Sequence, residues 1–225
     1  ALERAAADGA RAIKWLPAAQ GMNPASPLCD RFFEALAKLG LPLISHAGEE
    51  RAVHGGNTQQ FGNPLLLRRA LDHGVRAVVA HCASMGQDRD LDRGENGPYV
   101  DSFALFARLM DDPVYGPKLN GDISAMTQLN RAGPVLEAVL AREDWHARLH
   151  NGSDYPLPGV MPLFSVTYMV QLGLIPETAV PVLTEIRKHN PLLFDFVLKR
   201  QLNFKGKRFA KSVFETRRFF EPRVV

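Results

Sequence analysis

Two short apolar segments that each carry a histidine at their end constrain this chain more than any other feature. The first covers residues 43–48 and contains His46, and the second covers residues 78–83 and contains His81. Each segment is too short for a helix and follows an amphipathic helical segment, which is typical of a buried parallel strand. The two histidines lie 35 residues apart, about the length of one strand–helix unit of roughly 30 residues or more. If the strands are neighbours, the two imidazoles lie side by side.

Charged residues occupy matching positions in three similar runs. Lys14 lies in a short apolar run 32 residues before His46. Asp122 lies in another run, 41 residues after His81. Asp154 ends a further run, 32 residues after Asp122. We therefore predict a parallel α/β sheet of five strands whose carboxyl ends bring these five side chains to one edge.

The segments between the strands support this arrangement. Residues 28–39 predict a helix with an apolar face. That face comprises Leu28, Phe32, Ala35, Leu36 and Leu39. Two long polar segments, residues 48–62 and 85–98, each follow a predicted strand, and long loops of this kind are usually functional. The working face is therefore expected at the carboxyl ends of the strands.

The composition is that of an ordinary globular protein. Hydrophobic residues make up 46 % of the 225 residues, which is ample for a buried core. No run of about 18 apolar residues predicts a membrane span, and residues 1–8 resemble a helix more than a signal peptide. Cys29 and Cys82 provide no disulfide framework, so we expect a reducing, cytoplasmic location.

The C-terminal part of the chain is unusually basic. Residues 199–225 contain nine Lys and Arg against two Glu, and such a tail can bind nucleic acid or an acidic surface. Five phenylalanines are interleaved with these charges: Phe204, Phe209, Phe214, Phe219 and Phe220. We favour a segment that packs its aromatic rings on the domain or on the partner subunit of a homodimer, and expect no nucleic acid. Residues 1–200 are treated as one domain and residues 201–225 as an extension.

The side chains gathered at the sheet edge predict a metal site. The imidazoles of His46 and His81 and the carboxylate of Asp154 suit a divalent transition metal, zinc being the commonest choice and iron or manganese compatible. Lys14 becomes a ligand only if carbon dioxide converts its amine to a carbamate, which can bridge two ions. The alternative is that Lys14 pairs as a cation with a carboxylate such as Asp122. The spacing leaves both alternatives open.

A metal at this edge would support hydrolytic chemistry, because it lowers the pKa of a bound water to roughly 7. Asp154 could orient the resulting hydroxide and transfer its proton to a leaving group. We assign Asp154 and His81 to catalysis. His54, Arg131 and Tyr155 follow predicted strands and are candidate substrate-binding residues. Arg131 would favour a substrate that carries a carboxylate.

These residues resemble the amidohydrolase superfamily, specifically its "amidohydrolase 2" branch. Residues 43–48 (LISHAG) resemble the family's fifth strand with its histidine ligand, and residues 78–82 (VVAHC) resemble the sixth. Residues 151–156 (NGSDYP) resemble the eighth strand with its metal-binding, proton-transferring aspartate. Residues 12–15 (AIKW) match the fourth strand, where some members carry a carboxylated lysine. The resemblance implies a (β/α)8 TIM barrel of the metal-dependent hydrolase type.

The chain departs from the family pattern at its start. The family begins with a strand that bears His-x-His, and this motif does not occur in the 225 residues. Counting back from Lys14, strands one to three of the barrel are absent, which corresponds to about 100 further residues of a barrel of around 250. Five parallel strands alone would leave open edges. We therefore expect this chain to be the C-terminal part of a larger protein.

The expected function is that of a metal-dependent hydrolase. It would cleave an amide, ester or lactone-like bond of a small molecule with one or two bound ions. The first alternative is a non-oxidative, metal-dependent decarboxylase of a small carboxylic acid, because related sites use the same ligands. The second alternative, from another class, is a metal-free barrel that serves as a binding or scaffold module.

Overall fold

Residues 1–51, 53 and 57–221 are described by the structure, which is a computed structural model. The chain divides into two units. Unit 1 comprises Ala1–Asp122 together with Thr216–Val225, and unit 2 comprises Ile123–Glu215. The predicted division of the chain at residue 200 stays a prediction.

A parallel sheet forms the centre of unit 1. The strands of this unit are β1 (Ile13–Trp15), β2 (Leu43–His46), β3 (Ala77–Ala80), β4 (Gln87–Arg89), β5 (Tyr99–Asp101) and β6 (Leu119–Asp122). Strands β1, β2, β3 and β6 pair in parallel in that order. The predicted α/β fold with a parallel sheet is confirmed, and a partial (β/α)8 barrel fits it.

Helices cover one face of this sheet. The helices of the first 122 residues are α1 (Leu2–Ala7), α2 (Pro17–Gln20), α3 (Asp30–Lys38), α4 (Arg68–Asp72) and α5 (Ser102–Asp111). Phe33 and Leu36 of α3 are fully buried and belong to one apolar cluster with Trp15 and Leu43. Since side chains alternate along a strand, Trp15 and Leu43 face these helices, and Lys14, the residue between Ile13 and Trp15, lies on the opposite face.

The predicted apolar face of α3 is wrong at its first residue. Leu28 is 93 % exposed, because Pro27–Cys29 form a 3-10 turn that precedes the helix. The α-helix itself begins at Asp30 and places Phe33 instead of Leu28 in the core.

The second long segment predicted as a loop, residues 85–98, contains one strand, β4. Gln87–Arg89 and Tyr99–Asp101 pair in an antiparallel ribbon, β4 with β5. The ribbon ends at Asp101, and α5 begins at the next residue, Ser102.

Unit 2 contains one short strand and four helices. They are β7 (Leu149–His150), α6 (Pro134–Ala141), α7 (Val166–Gln171), α8 (Val180–His189) and α9 (Pro191–Gln201). The Ile123 N–H donates to the His150 carbonyl at 2.9 Å, so the chain that follows β6 runs beside β7. The strand ends at His150, four residues before Asp154, whereas the sequence predicted that it ends at Asp154.

The aromatic residues near the C-terminus pack within their own units. In unit 2, the Phe214 ring lies 5.3 Å from the Phe196 ring, and Phe209 is 8 % exposed. In unit 1, the last helix, α10 (Arg217–Phe220), places Phe219 4.7 Å from the Arg76 guanidinium. Among the described residues, no helix is long and apolar enough to cross a membrane.

Replacing Leu36 with alanine should destabilise the protein strongly. Leu36 is 0 % exposed, so its truncation should lower the free energy of unfolding by about 2–5 kcal/mol. Urea denaturation measures this change. Leu28→Ala is the matched control, because the same truncation at a 93 % exposed side chain should change stability by less than about 0.5 kcal/mol. Equal losses in the two variants would contradict the assignment of the helix face.

Candidate active site

His46, the last residue of β2, is buried within unit 1. Its side chain is 5 % exposed, and its ring lies 5.5 Å from the His81 ring at an angle of 66°. The His46 Nε2 lies 3.3 Å from the Glu49 carbonyl, and the His46 Nδ1 lies 3.5 Å from the Glu50 carboxylate. The prediction that the two imidazoles lie side by side agrees with this geometry.

His81 reaches His46 only because the backbone leaves the strand conformation. His46 is level with Ala80 in the β2–β3 register, so the regular alternation of a strand would direct residue 81 to the other face. His81, Cys82 and Ala83 instead have φ of +54°, +50° and +50°. This left-handed conformation costs non-glycine residues roughly 1–3 kcal/mol each, and such strain persists only where surrounding contacts stabilise it.

Asp122 provides those contacts from the end of β6. Its carboxylate accepts a hydrogen bond from the His81 backbone N–H at 2.9 Å, and its carbonyl accepts one from the Cys82 thiol at 3.2 Å. The carboxylate also lies 3.9 Å from the His81 Nδ1. Burial raises the pKa of the Cys82 thiol well above its ordinary value, so Cys82 stays a neutral, buried side chain. Asp122 therefore holds the turn that carries His81.

The described residues meet the requirements of a divalent metal site only in part. Two buried imidazoles are suitable ligands for a transition metal, and carboxylates beside their Nδ1 atoms are typical of partners that orient metal-binding histidines. However, no group of three or more His, Cys, Asp or Glu side chains within residues 1–51, 53 and 57–221 is placed to hold an ion. His46 and His81 are thus an incomplete ligand set within unit 1.

Lys14 lies on the same face of the sheet as His46, but farther from the carboxyl ends of the strands. It pairs in register with Ile44, two residues before His46, which corresponds to about 6.6 Å along a parallel strand. Its side chain is exposed. Among the described residues, Lys14 forms no ion pair, so its two alternative roles stay predictions.

Backbone hydrogen bonds connect the chain segments that follow β2 and β3. The Gly48 N–H donates to the Gly62 carbonyl at 2.8 Å, and the Glu49 N–H donates to the Met85 carbonyl at 2.9 Å. Gly48 has φ of +82°, and a Cβ at this position would lie 2.4 Å from the Met85 oxygen. Only glycine therefore fits here.

A cavity of about 690 Å³ opens beside these hydrogen-bonded segments in unit 1. Its lining combines polar side chains, including Glu49, Gln60 and Arg89, with the rings of Phe61 and Tyr99. The Arg89 guanidinium lies 4.8 Å from the centre of the Tyr99 ring. The volume falls within the range of about 300–1,000 Å³ that small-molecule sites occupy.

An ion-pair network holds the cavity wall that follows β4. Arg108 of α5 donates to Asp90 at 2.7 and 2.8 Å and to Asp92 at 2.6 Å, and Arg68 pairs with Asp92 through both carboxylate oxygens. Hydrogen bonding to Arg68, with a further contribution from Arg108, lowers the pKa of Asp92 from 3.8 to about 2. Because the cavity residues Arg89 and Leu91 alternate with these aspartates, the network positions the wall.

Three further predicted site residues, Asp154, Tyr155 and Arg131, lie in unit 2. Asp154 is half-buried and has φ of +55°, and its carbonyl accepts the Leu157 N–H at 3.0 Å. Tyr155 is 69 % exposed. Arg131 is half-buried, and its N–H donates to the Gln128 carbonyl at 2.9 Å. His54 lies outside the described residues.

Sequence reasoning missed three polar residues that belong to these loops. Glu50 contacts His46 and is 7 % exposed; its position four residues after a strand-end histidine was the available signal. In the loop after β6, Thr127 and Gln128 are 1 % and 5 % exposed. Their side-chain Oγ1 and Nε2 atoms make no hydrogen bond within the part of the chain that the structure describes. No pattern in the sequence distinguished these two from ordinary loop residues.

Asp122→Ala should destabilise the protein because it leaves the His81 N–H without its carboxylate acceptor. Loss of a hydrogen bond to a charged group should lower the free energy of unfolding by about 1.5–3 kcal/mol, measured by urea denaturation. Asp122→Asn keeps the Oδ1 acceptor, so it should lower the free energy of unfolding by clearly less. Equal losses in the two variants would show that charge, and not the hydrogen bond to the turn, stabilises this region.

Asp92→Asn should reduce the dependence of stability on pH in acid. The folded-state pKa of Asp92, about 2, lies below the ordinary 3.8, so its ion pairs stabilise the folded state fully above about pH 4 and this contribution is lost as the pH falls to about 2. Urea denaturation at several pH values should therefore give a flatter curve for Asp92→Asn. The control is Glu95→Gln, an exposed residue that should leave the curve unchanged; a steep curve in Asp92→Asn would contradict the prediction.

Comparison with known proteins adds information on the family. A family model described as Amidohydrolase matches residues 1–160. A search of curated proteins returns no match. Among solved structures, the chain is similar to a protein of Pseudomonas putida provisionally named a 2-pyrone-4,6-dicarboxylic acid hydrolase, with 17 % identity over 97 % of this chain and 66 % of that one, and a TM-score of 0.49.

Two further solved structures are similar to this chain. An uncharacterised TIM-barrel protein of Bordetella bronchiseptica shares 16 % identity over 87 % of this chain and 61 % of its own, with a TM-score of 0.49. The apo IDCase of Metarhizium anisopliae shares 17 % identity over 93 % of this chain and 56 % of its own, with a TM-score of 0.45. The chain thus spans less than two thirds of the length of each of these three proteins. Since the family match covers residues 1–160 of 225, the chain belongs to the amidohydrolase family.

Proposed function

We propose that the protein is a metal-dependent hydrolase that cleaves an amide, ester or lactone-like bond of a small molecule. One observation carries this proposal: two buried imidazoles lie 5.5 Å apart, at the end of β2 and directly after β3. The family supports the coarser statement, because amidohydrolases typically use divalent metals. The bond, the substrate and the metal, for which zinc is our first choice, are part of the proposal.

His46 and His81 are the proposed metal ligands, with Asp154 and a carboxylated Lys14 as further ligands. When bound, a divalent transition metal supplies Lewis acidity, which makes water acidic enough to act as a nucleophile near neutral pH. The neighbouring carboxylates of Glu50 and Asp122 would hold the two imidazoles in fixed orientations.

Asp154 is the proposed proton-transferring residue. A carboxylate can accept a proton from the attacking water and deliver it to the leaving group. The half-buried position of Asp154 and its left-handed backbone are typical of residues that the surrounding structure holds in a strained but defined orientation.

Substrate binding is proposed for the cavity in unit 1. Arg89 in the cavity wall could bind an anionic group, and the Phe61 and Tyr99 rings could contact an apolar part of a small molecule.

Elemental analysis of the purified protein tests the proposal, with His46→Ala, Lys14→Ala and His189→Ala prepared alongside. We expect stoichiometric transition metal in the wild type and a loss in His46→Ala, because a ligand is removed. His189→Ala is the matched control, since this imidazole is 75 % exposed and pairs with Glu185, and it should retain the metal. Absence of metal after attempted reconstitution would contradict the proposal and favour a metal-free binding module.

The Lys14→Ala variant separates the remaining alternatives. A fall in metal content per chain would support a two-ion hydrolase with a carboxylated Lys14. Unchanged metal content would assign Lys14 a structural role and favour a decarboxylase of a small carboxylic acid, which release of carbon dioxide from candidate acids would measure directly.

A further inference from the structure

A lysine and an aspartate form a buried ion pair on helix α9 of unit 2. Lys199 and Asp195 lie one turn apart and are each 1 % exposed, and the Lys199 Nζ lies 2.6 Å from an Asp195 carboxylate oxygen. Removing two charges from water is costly, and a buried ion pair of this kind often stabilises a fold no better than apolar residues of similar size. A second contact of the same ammonium group suggests what the pair does.

Lys199 also donates a hydrogen bond to the chain segment that carries Asp154. Its Nζ lies 2.6 Å from the Gly152 carbonyl oxygen. Gly152 is two residues before Asp154, and Asp154 adopts a left-handed conformation with φ of +55°. A short, charge-assisted hydrogen bond is roughly twice as strong as a neutral one, so this contact restrains the backbone just before the strained residue.

Backbone hydrogen bonds restrain the same segment on both sides of this contact. The Asn151 N–H donates to the Val213 carbonyl at 2.8 Å, and the Leu157 N–H donates to the Asp154 carbonyl at 3.0 Å. The Lys199 ammonium acts between these two points, at Gly152. It is a buried side chain on a helix, and a side chain fixed by packing on a helix positions a loop more precisely than another loop does.

We infer that Lys199, held by Asp195, is a positioning residue that fixes the backbone conformation at Gly152–Asp154 and thereby the orientation of the Asp154 carboxylate. The restraint on the backbone stands on the contacts within unit 2. Its consequence for metal binding rests on the proposed function of Asp154. The competing explanation is that the pair only fills the interior beneath α9.

Paired substitutions can remove the restraint without leaving a buried charge. Lys199→Met with Asp195→Leu replaces the ion pair by apolar side chains of similar size, a change that buried ion pairs often tolerate. Lys199→Gln with Asp195→Asn is a second pair, which keeps both sites polar. The glutamine side chain is one bond shorter than lysine, so it should not reach the Gly152 oxygen.

The control is Lys207→Met. Lys207 also donates to a main-chain carbonyl and to a carboxylate in unit 2, those of Ala141 at 3.3 Å and Glu143 at 2.8 Å. None of these contacts involves the segment before Asp154. Lys207→Met therefore removes an ammonium group with the same kinds of partner, but elsewhere in unit 2.

Hydrogen–deuterium exchange of the full chain is the first measurement, on variants whose melting temperature matches the wild type. We expect amides of Ser153, Asp154 and Tyr155 to exchange several-fold faster in either paired variant and to be unchanged in Lys207→Met. Unchanged exchange at these amides in a folded paired variant would overturn the inference. This readout is independent of any metal.

Affinity for Co²⁺, followed by its visible absorption, is the second measurement. If Asp154 is a ligand, the paired variants should bind Co²⁺ about 10- to 100-fold more weakly, the loss typical of residues that orient metal ligands. Faster exchange with unchanged Co²⁺ affinity would uphold the positioning of the segment and contradict the role of Asp154 as a ligand. The inference and the proposed function thus fail separately.

Discussion

The hydrogen bond from the His81 backbone to Asp122 is the interaction on which the candidate site depends. Three successive residues, from His81 to Ala83, adopt a left-handed conformation that non-glycine residues avoid. The Asp122 carboxylate and carbonyl accept hydrogen bonds from the first two of them. Without this turn, the alternation of β3 would direct the His81 ring away from His46. The pair of buried imidazoles is therefore a product of a strained turn and the aspartate that stabilises it.

Charged side chains also restrain loops elsewhere in each of the two units. In unit 1, the Arg68 and Arg108 ion pairs with Asp90 and Asp92 hold the chain that lines the cavity. In unit 2, Lys199 donates to the Gly152 carbonyl just before Asp154. In each case a charged side chain on a helix or at a strand end restrains a loop. Loops carry functional side chains, and their precision depends on such contacts because they lack the hydrogen bonds of regular structure.

Several features could be predicted from the sequence because they follow from local patterns. The period of the strand–helix units and the histidines after two of them predicted a parallel α/β fold, neighbouring strands and adjacent imidazoles. Other predictions failed because tertiary structure overrides local patterns. Leu28 matched the apolar face of a helix, yet a 3-10 turn leaves it 93 % exposed. Strand β4 lies within residues 85–98, which the sequence predicted as a loop, because it pairs with β5 directly after that segment.

The sequence by itself determined the family, the parallel order of the strands and the residue types at their ends, because these depend on periodicity and on motifs of a few residues. The tertiary structure decided which of those residues meet. It placed Lys14 level with Ile44 and not with His46, ended β7 four residues before Asp154, and brought Lys199 to the Gly152 carbonyl across 47 residues of sequence. The physical reason is that register, left-handed turns and buried ion pairs are set by contacts between distant segments, which no local pattern encodes.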